Sequence, residues 1–184
     1  MRADAFSPGR AASRMDHRSR FWIRRRLRSL AFLELLNIPL QAVVWFGAVG
    51  LPVTAANAVG FALFALLLVE GAGYWVAKLR HTAAPGTPLP GVRVFAAVRV
   101  LNVPLLVAGV LFTAWAVRSD PGSGSLPGLG FALFAVLEHV NYFHWQLMYD
   151  TGEDLRRLRR GGLRRAHLAR DLAAAHPARA VRRP

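Results

Sequence analysis

Four apolar runs, at about residues 30–50, 53–77, 94–117 and 126–149, leave few folds open to this chain. Each holds 21 to 25 residues, and a helix needs about 20 to cross about 30 Å of hydrocarbon. Strands are disfavoured, because the runs lack strict alternation and a membrane requires every backbone group to be satisfied internally. Pro and Gly punctuate the connections: Gly50 to Pro52, HTAAPGTPLPG at 81–91 and RSDPGSGSLPG at 118–128. The expected fold is all-α and transmembrane, a four-helix bundle.

The net charge of +14 is confined to the ends. Residues 1–29 hold nine Arg and two Asp, and residues 151–184 hold ten Arg and three acids. The stretch 30–150 balances five basic against five acidic residues. Three segments follow: a basic, disordered cytoplasmic stretch at 1–29, a transmembrane domain at 30–150, and a basic cytoplasmic tail at 151–184, helical to about 175. Lys78 and Arg93 flank the 78–93 connection, whereas the other side shows only Arg118, offset by Asp120. The positive-inside rule then puts both termini in the cytoplasm. Trp22, Trp45, Trp75, Trp115 and Trp145 fall near span ends, as an aromatic belt requires.

Lys78 is the only lysine among 24 basic residues. That bias, with abundant Ala, Gly and Pro, points to a GC-rich bacterium and hence to its inner membrane. The absence of cysteine excludes disulfides and thiolate metal sites. A cleaved signal peptide competes for the first span, since Ala56-Asn57-Ala58 resembles a cleavage site. Glu34, Asn37, Pro39 and Gln41 make that run a poor apolar core for one, so the span is expected to stay. Met15 offers an alternative start.

An internal repeat organises the spans. GFALFA occurs at 60–65 and 130–135, and LNIPL at 36–40 is echoed by LNVPL at 101–105. The expected architecture is two duplicated helical hairpins about a pseudo-two-fold along the membrane normal. Pro39 and Pro104 each free a carbonyl, which the adjacent Asn37 and Asn102 are placed to satisfy. Gly60 and Gly130 are expected to admit close helix approach.

Within these spans lies a polar layer. Glu34-x-x-Asn37, Arg99-x-x-Asn102 and Glu138-x-x-Asn141 each set a charge three residues before an asparagine, on one helix face. Tyr142 extends the stripe on the fourth helix, and Glu70 adds a carboxylate from the second. Glu34 and Arg99 occupy equivalent repeat positions with opposite signs, which predicts an ion pair between them, with Glu138 or Glu70 as a second acceptor. Three carboxylates against one guanidinium imply a protonated Glu, or a bound cation or partner.

Two function classes compete. The layer is either a packing network that fixes helix register or the ion site of a proton- or cation-coupled small-solute transporter or channel acting as an oligomer. No metal is expected, since His139 and His144 lie about 140° apart on a regular helix and no HExxH occurs. No cofactor is implied, because no transverse histidine pair exists for haem. No nucleophile elbow, Walker loop or Rossmann glycines appear, so an enzyme is not expected. The polar stripe of the fourth helix leaves chiefly Val140, Phe143 and Leu147 for lipid, which motivates a homodimer or a membrane-protein partner.

The tail opens on Thr151-Gly-Glu-Asp154, a capping box, and continues through LRRLRR to RRAHLARDLAAA. It reads as an interfacial helix, with Arg156, Arg157, Arg159, Arg160, Arg164 and Arg165 held by anionic headgroups of membrane lipids. It lacks aromatic interleaving, so nucleic acid is not an expected partner. EHVNYFHWQLMYD followed by RRAHLARDL resembles a group of small four-span bacterial membrane proteins, over about residues 137–172. The resemblance implies a four-helix integral membrane protein and supplies no activity. His139 stands where those proteins have an aromatic residue.

Overall fold

The computed structural model describes residues 8–84, 87–147 and 164–175, with side chains from Phe21 onward. The described residues form five helices: α1 (Pro8–Ala42), α2 (Ala55–Ala83), α3 (Val92–Ser119), α4 (Leu126–Phe143) and α5 (His167–Ala175). Four stretches, Phe21–Ala48, Ala55–Ala83, Val92–Ser119 and Leu126–Phe143, are long and apolar enough to cross a membrane.

Segment 8–29, expected to be disordered, is the first part of α1 instead. Pro8 suits a first helical position, and the Ala and Arg that follow favour helix. The helix passes through Pro39 and changes at Val43–Ala48 to the wider π ladder. There the N–H of Val49 bonds the carbonyl of Val44 at 2.8 Å, and the indole of Trp45 donates to Gln41 at 2.9 Å. Pro104 is likewise accommodated inside α3.

α2 and α4 form the central pair, with α1 laid along α2, and α3 packed on both α4 and α2. The bundle is thus not evenly closed; α1 leans on the α2 side. Lipid tails are as apolar as leucine, so helices associate in a membrane through close packing rather than through water exclusion. The sequence supplies that packing. A Cβ on Gly60 would strike the carbonyl of Gly128, and one on Gly128 would strike the carbonyl of Ala56. Gly128, and not Gly130, is therefore the partner of Gly60; Gly130 is exposed, with nothing near its missing Cβ. Gly109 of α3 in turn receives the side chain of Leu63.

The two GFALFA segments lie against each other. Phe61 meets Phe131 with ring centroids 5.3 Å apart, and Phe64 meets Phe134 at 5.6 Å. Leu63, Leu67, Leu106, Ala132 and Ala135 fill the space below them. At the connection end, Thr54 caps α2 and its hydroxyl also donates to the carbonyl of Gly124.

α4 stops at Phe143, six residues short of the expected span. The chain turns there: Asn141 Oδ1 takes the N–H of Leu147 at 2.8 Å, and Gln146 donates its N–H to the carbonyl of Arg164 at 2.9 Å. Trp145 and Arg165 form an antiparallel bridge. This return folds α5 onto the bundle, where Leu168 and Leu172 join Tyr74, Ala77, Leu89, Tyr142 and Phe143 in a second core. The apolar face of α5 is spent on protein, through Leu168 and Leu172. Phe143, expected to face lipid, is 1% exposed. Its place on the outer face falls to Leu126, Leu133, Phe134 and Leu137.

A polar clasp holds α5. Asp171 accepts from Lys78 at 2.8 Å and from Tyr74 at 2.9 Å, both on α2. The ionic partners are about a quarter exposed, so solvent screens them. Asp171→Ala is expected to loosen α5 by about 1 kcal/mol, a fivefold rise in tail cleavage rate by limited proteolysis.

Candidate functional site

Beneath α5, toward the middle of the bundle, lie the polar residues picked out by sequence. Glu34 of α1 accepts a hydrogen bond from the hydroxyl of Tyr142 on α4. Gly71 makes this possible, since any side chain there would occupy the position of the Tyr142 ring. The indole N–H of Trp75 is buried near Glu34 without reaching hydrogen-bond geometry. Glu70 of α2 accepts from the buried amide of Asn102 on α3 at 2.7 Å. Glu138 accepts from Asn141, one turn on in α4, at a long 3.4 Å.

The predicted Glu34–Arg99 ion pair does not form. Among the described residues the ion pair is Lys78–Asp171. Partial burial and then the charge of Arg99 push the His144 imidazole below its ordinary pKa range. The asparagines also depart from expectation. Asn102 bonds a carboxylate rather than a carbonyl freed by proline, and Asn37 makes no side-chain hydrogen bond among the described residues. The eight residues of the proposed layer therefore fall into separate contacts. Glu34–Tyr142 and Glu70–Asn102 join helices, Glu138–Asn141 is local, and Arg99 and Asn37 stand apart.

His139 is 5% exposed, and both ring nitrogens are buried without a hydrogen-bond partner. Its ring packs on Phe143 at 4.9 Å and lies 5.5 Å from His144. It is a core residue. Among the described residues no three His, Asp or Glu side chains converge as metal ligands do. Arg164 and Arg165 are exposed beside the chain return, while Arg156, Arg157, Arg159 and Arg160 lie outside the described residues.

Sequence reasoning missed Asn57. It is fully buried at the connection end, donating to the carbonyls of Pro52 and Ser123 at 2.9 Å each and accepting from the N–H of Gly128 at 2.8 Å. One side chain thus ties the α1–α2 connection to the start of α4. The signal was present as Thr54-x-x-Asn57, a helix-start pattern, but it was weighed only as a cleavage site.

A cavity of about 580 Å³ opens between α1, α2 and the chain return. Glu34, Tyr142 and Asn141 line it, together with Arg26, Lys78 and Arg164. Four apolar helices of spanning length with polar contacts between them define the class, a multi-pass membrane protein. Comparison with protein-family models, curated proteins and solved structures gives no match that would narrow the class further.

Proposed function

We propose that this chain is a non-enzymatic protein of the bacterial inner membrane, with both termini cytoplasmic, serving as a structural or partner-binding subunit. One observation carries the reading: each carboxylate of the layer is hydrogen-bonded by a neutral side chain of the same chain, Tyr142, Asn102 or Asn141. A layer satisfied from within locks helix register, because sliding one helix would strand a buried polar group. The duplication of two hairpins is supported by contacts between positions seventy apart: Thr54 with Gly124, Phe61 with Phe131 and Phe64 with Phe134. A two-fold axis between parallel helices brings each residue to its own copy. The basic ends favour the cytoplasmic face and its anionic headgroups.

The expected result is a coupling of about 1–2 kcal/mol between Glu34→Gln and Tyr142→Phe in a double-mutant cycle of detergent unfolding. Additive effects would mean that the bond contributes nothing.

A second reading, a proton- or cation-coupled transporter, is favoured by the position of Glu34 on the cavity wall. Solute flux in proteoliposomes that falls with Glu34→Gln or Glu138→Gln would replace the structural reading. A homodimer or a membrane-protein partner is supported by the outer faces of α1 and α3, where Phe32, Leu36, Leu101 and Leu105 are exposed. Crosslinking between single cysteines at Leu36 and Leu101 in native membranes tests for it.

A further inference from the structure

We propose that the cavity between α1, α2 and the chain return is a binding site for one anionic phospholipid. Its headgroup phosphate sits among the three cations of the lining, and the start of an acyl chain lies along the apolar wall. The proposal does not depend on whether the protein is a structural subunit or a transporter.

The shape argues first. Along α1 the lining runs from Trp22 to Glu34, twelve residues and about 18 Å of helix. A cavity of about 580 Å³ falls in the range of about 300–1,000 Å³ used for ligands. An extended acyl chain can follow a lining of that length.

The lining combines two chemistries. Trp22, Ile23, Leu27, Leu30 and Trp75 form an apolar wall, and Arg26, Lys78 and Arg164 supply cations beside it. Arg26 also stacks over the ring of Trp22, its guanidinium carbon 5.6 Å from the centroid, which holds a cation against the apolar wall. These cations come from three separate parts of the chain, α1, α2 and the return before α5. A phosphate oxygen cluster is the partner that several converging Arg and Lys donors suit.

α5 completes the site. His167 and Leu168 line it from above, and the Asp171 clasp to Lys78 and Tyr74 keeps them there. The buried N–H of Trp75 lies in the same wall without a hydrogen bond of its own, and it offers a donor to a lipid ester oxygen. Tyr142 and Glu34, hydrogen-bonded to each other, also line the cavity.

The test uses the full chain in nanodiscs containing equal parts of phosphatidylglycerol and phosphatidylcholine, followed by native mass spectrometry of the released protein. The expected result is one retained phosphatidylglycerol per protein, preferred at least tenfold over phosphatidylcholine. Arg26→Gln with Arg164→Gln should lower that retention at least tenfold, and Leu30→Trp, which fills the apolar wall, should do the same. Arg118→Gln, at the opposite end, should leave it unchanged. Helix content by circular dichroism, equal to wild type, qualifies each variant as folded. Should a variant lose helix content, quenching of wild-type tryptophan fluorescence by chain-brominated phosphatidylglycerol, stronger than by its phosphatidylcholine counterpart, supplies the second measurement. Equal retention of both lipids, or retention unmoved by the double variant and by Leu30→Trp, would overturn the proposal. Displacement of the lipid by millimolar inorganic phosphate would also overturn it, since the site would then recognise a free anion.

Discussion

Gly60→Ala is expected to destabilise the protein by about 3 kcal/mol, the upper part of the usual range for overpacking. The added methyl would meet backbone and not a side chain that can turn away: Gly128 C and Cα lie 2.7 and 2.8 Å from the Cβ position. α2 and α4 must therefore separate, and every contact below the glycines loosens with them, including the facing phenylalanines of the two GFALFA segments. Gly130→Ala provides the contrast. Nothing lies within 4 Å of its Cβ position, and alanine is favoured over glycine inside a helix by about 0.5–1 kcal/mol, so a small gain in stability is expected. Reversible unfolding in mixed detergent micelles measures both variants. Equal effects at positions 60 and 130 would show that the Gly60–Gly128 contact is not where the helices are closest.

That contrast also shows where sequence reading stops. Apolar length and terminal charge revealed the four spans, because hydrocarbon thickness and backbone hydrogen bonding leave a chain few choices. The repeat made Gly60 and Gly130 look equivalent, since both begin a GFALFA segment. Packing breaks the equivalence, since Gly60 meets Gly128 while nothing meets Gly130, and no periodicity encodes that difference. The end of α4 was hidden for the same reason. The sequence continues past Phe143 without a helix breaker, and the pairing of His144–Gln146 with Arg164–Ala166, distant in sequence, draws those residues out of the helix.

The polar layer was legible as composition and illegible as wiring. Glu34, Glu70 and Glu138 were identified as groups that need partners in a membrane, and each has one. The partners were assigned by charge, so Arg99 was favoured for Glu34. Neutral donors win in the structure: a tyrosine hydroxyl and two carboxamides satisfy a carboxyl group without burying a second charge, whose desolvation would cost several kcal/mol. Tyr142 was recognised as part of the stripe, but its reach across to α1 depends on the space above Gly71, and that is a tertiary fact. Asn57 lay outside the layer altogether and drew no attention as a buried anchor.

Asn57→Ala is expected to cost about 3 kcal/mol, because it strands the buried N–H of Gly128 and the carbonyl of Ser123 at once. The carbonyl of Ser123 loses its donor and the N–H of Gly128 its acceptor, while the carbonyl of Pro52 keeps only the N–H of Thr54. No rearrangement nearby restores them: the Thr54 hydroxyl is already committed to the carbonyl of Gly124 and to the N–H of Asn57. Asn57→Asp separates the two halves of this role. It keeps an acceptor for Gly128 but turns the donor into an oxygen facing two carbonyls, so it should destabilise nearly as much as alanine. If Asn57→Asp instead stays close to wild type in the same unfolding measurement, the amide donors contribute little and the anchor is the Gly128 bond alone. Because Gly128 is also the residue against which Gly60 packs, Asn57→Ala and Gly60→Ala should be strongly non-additive. Each separates the same pair of helix ends, and the second has little left to disrupt.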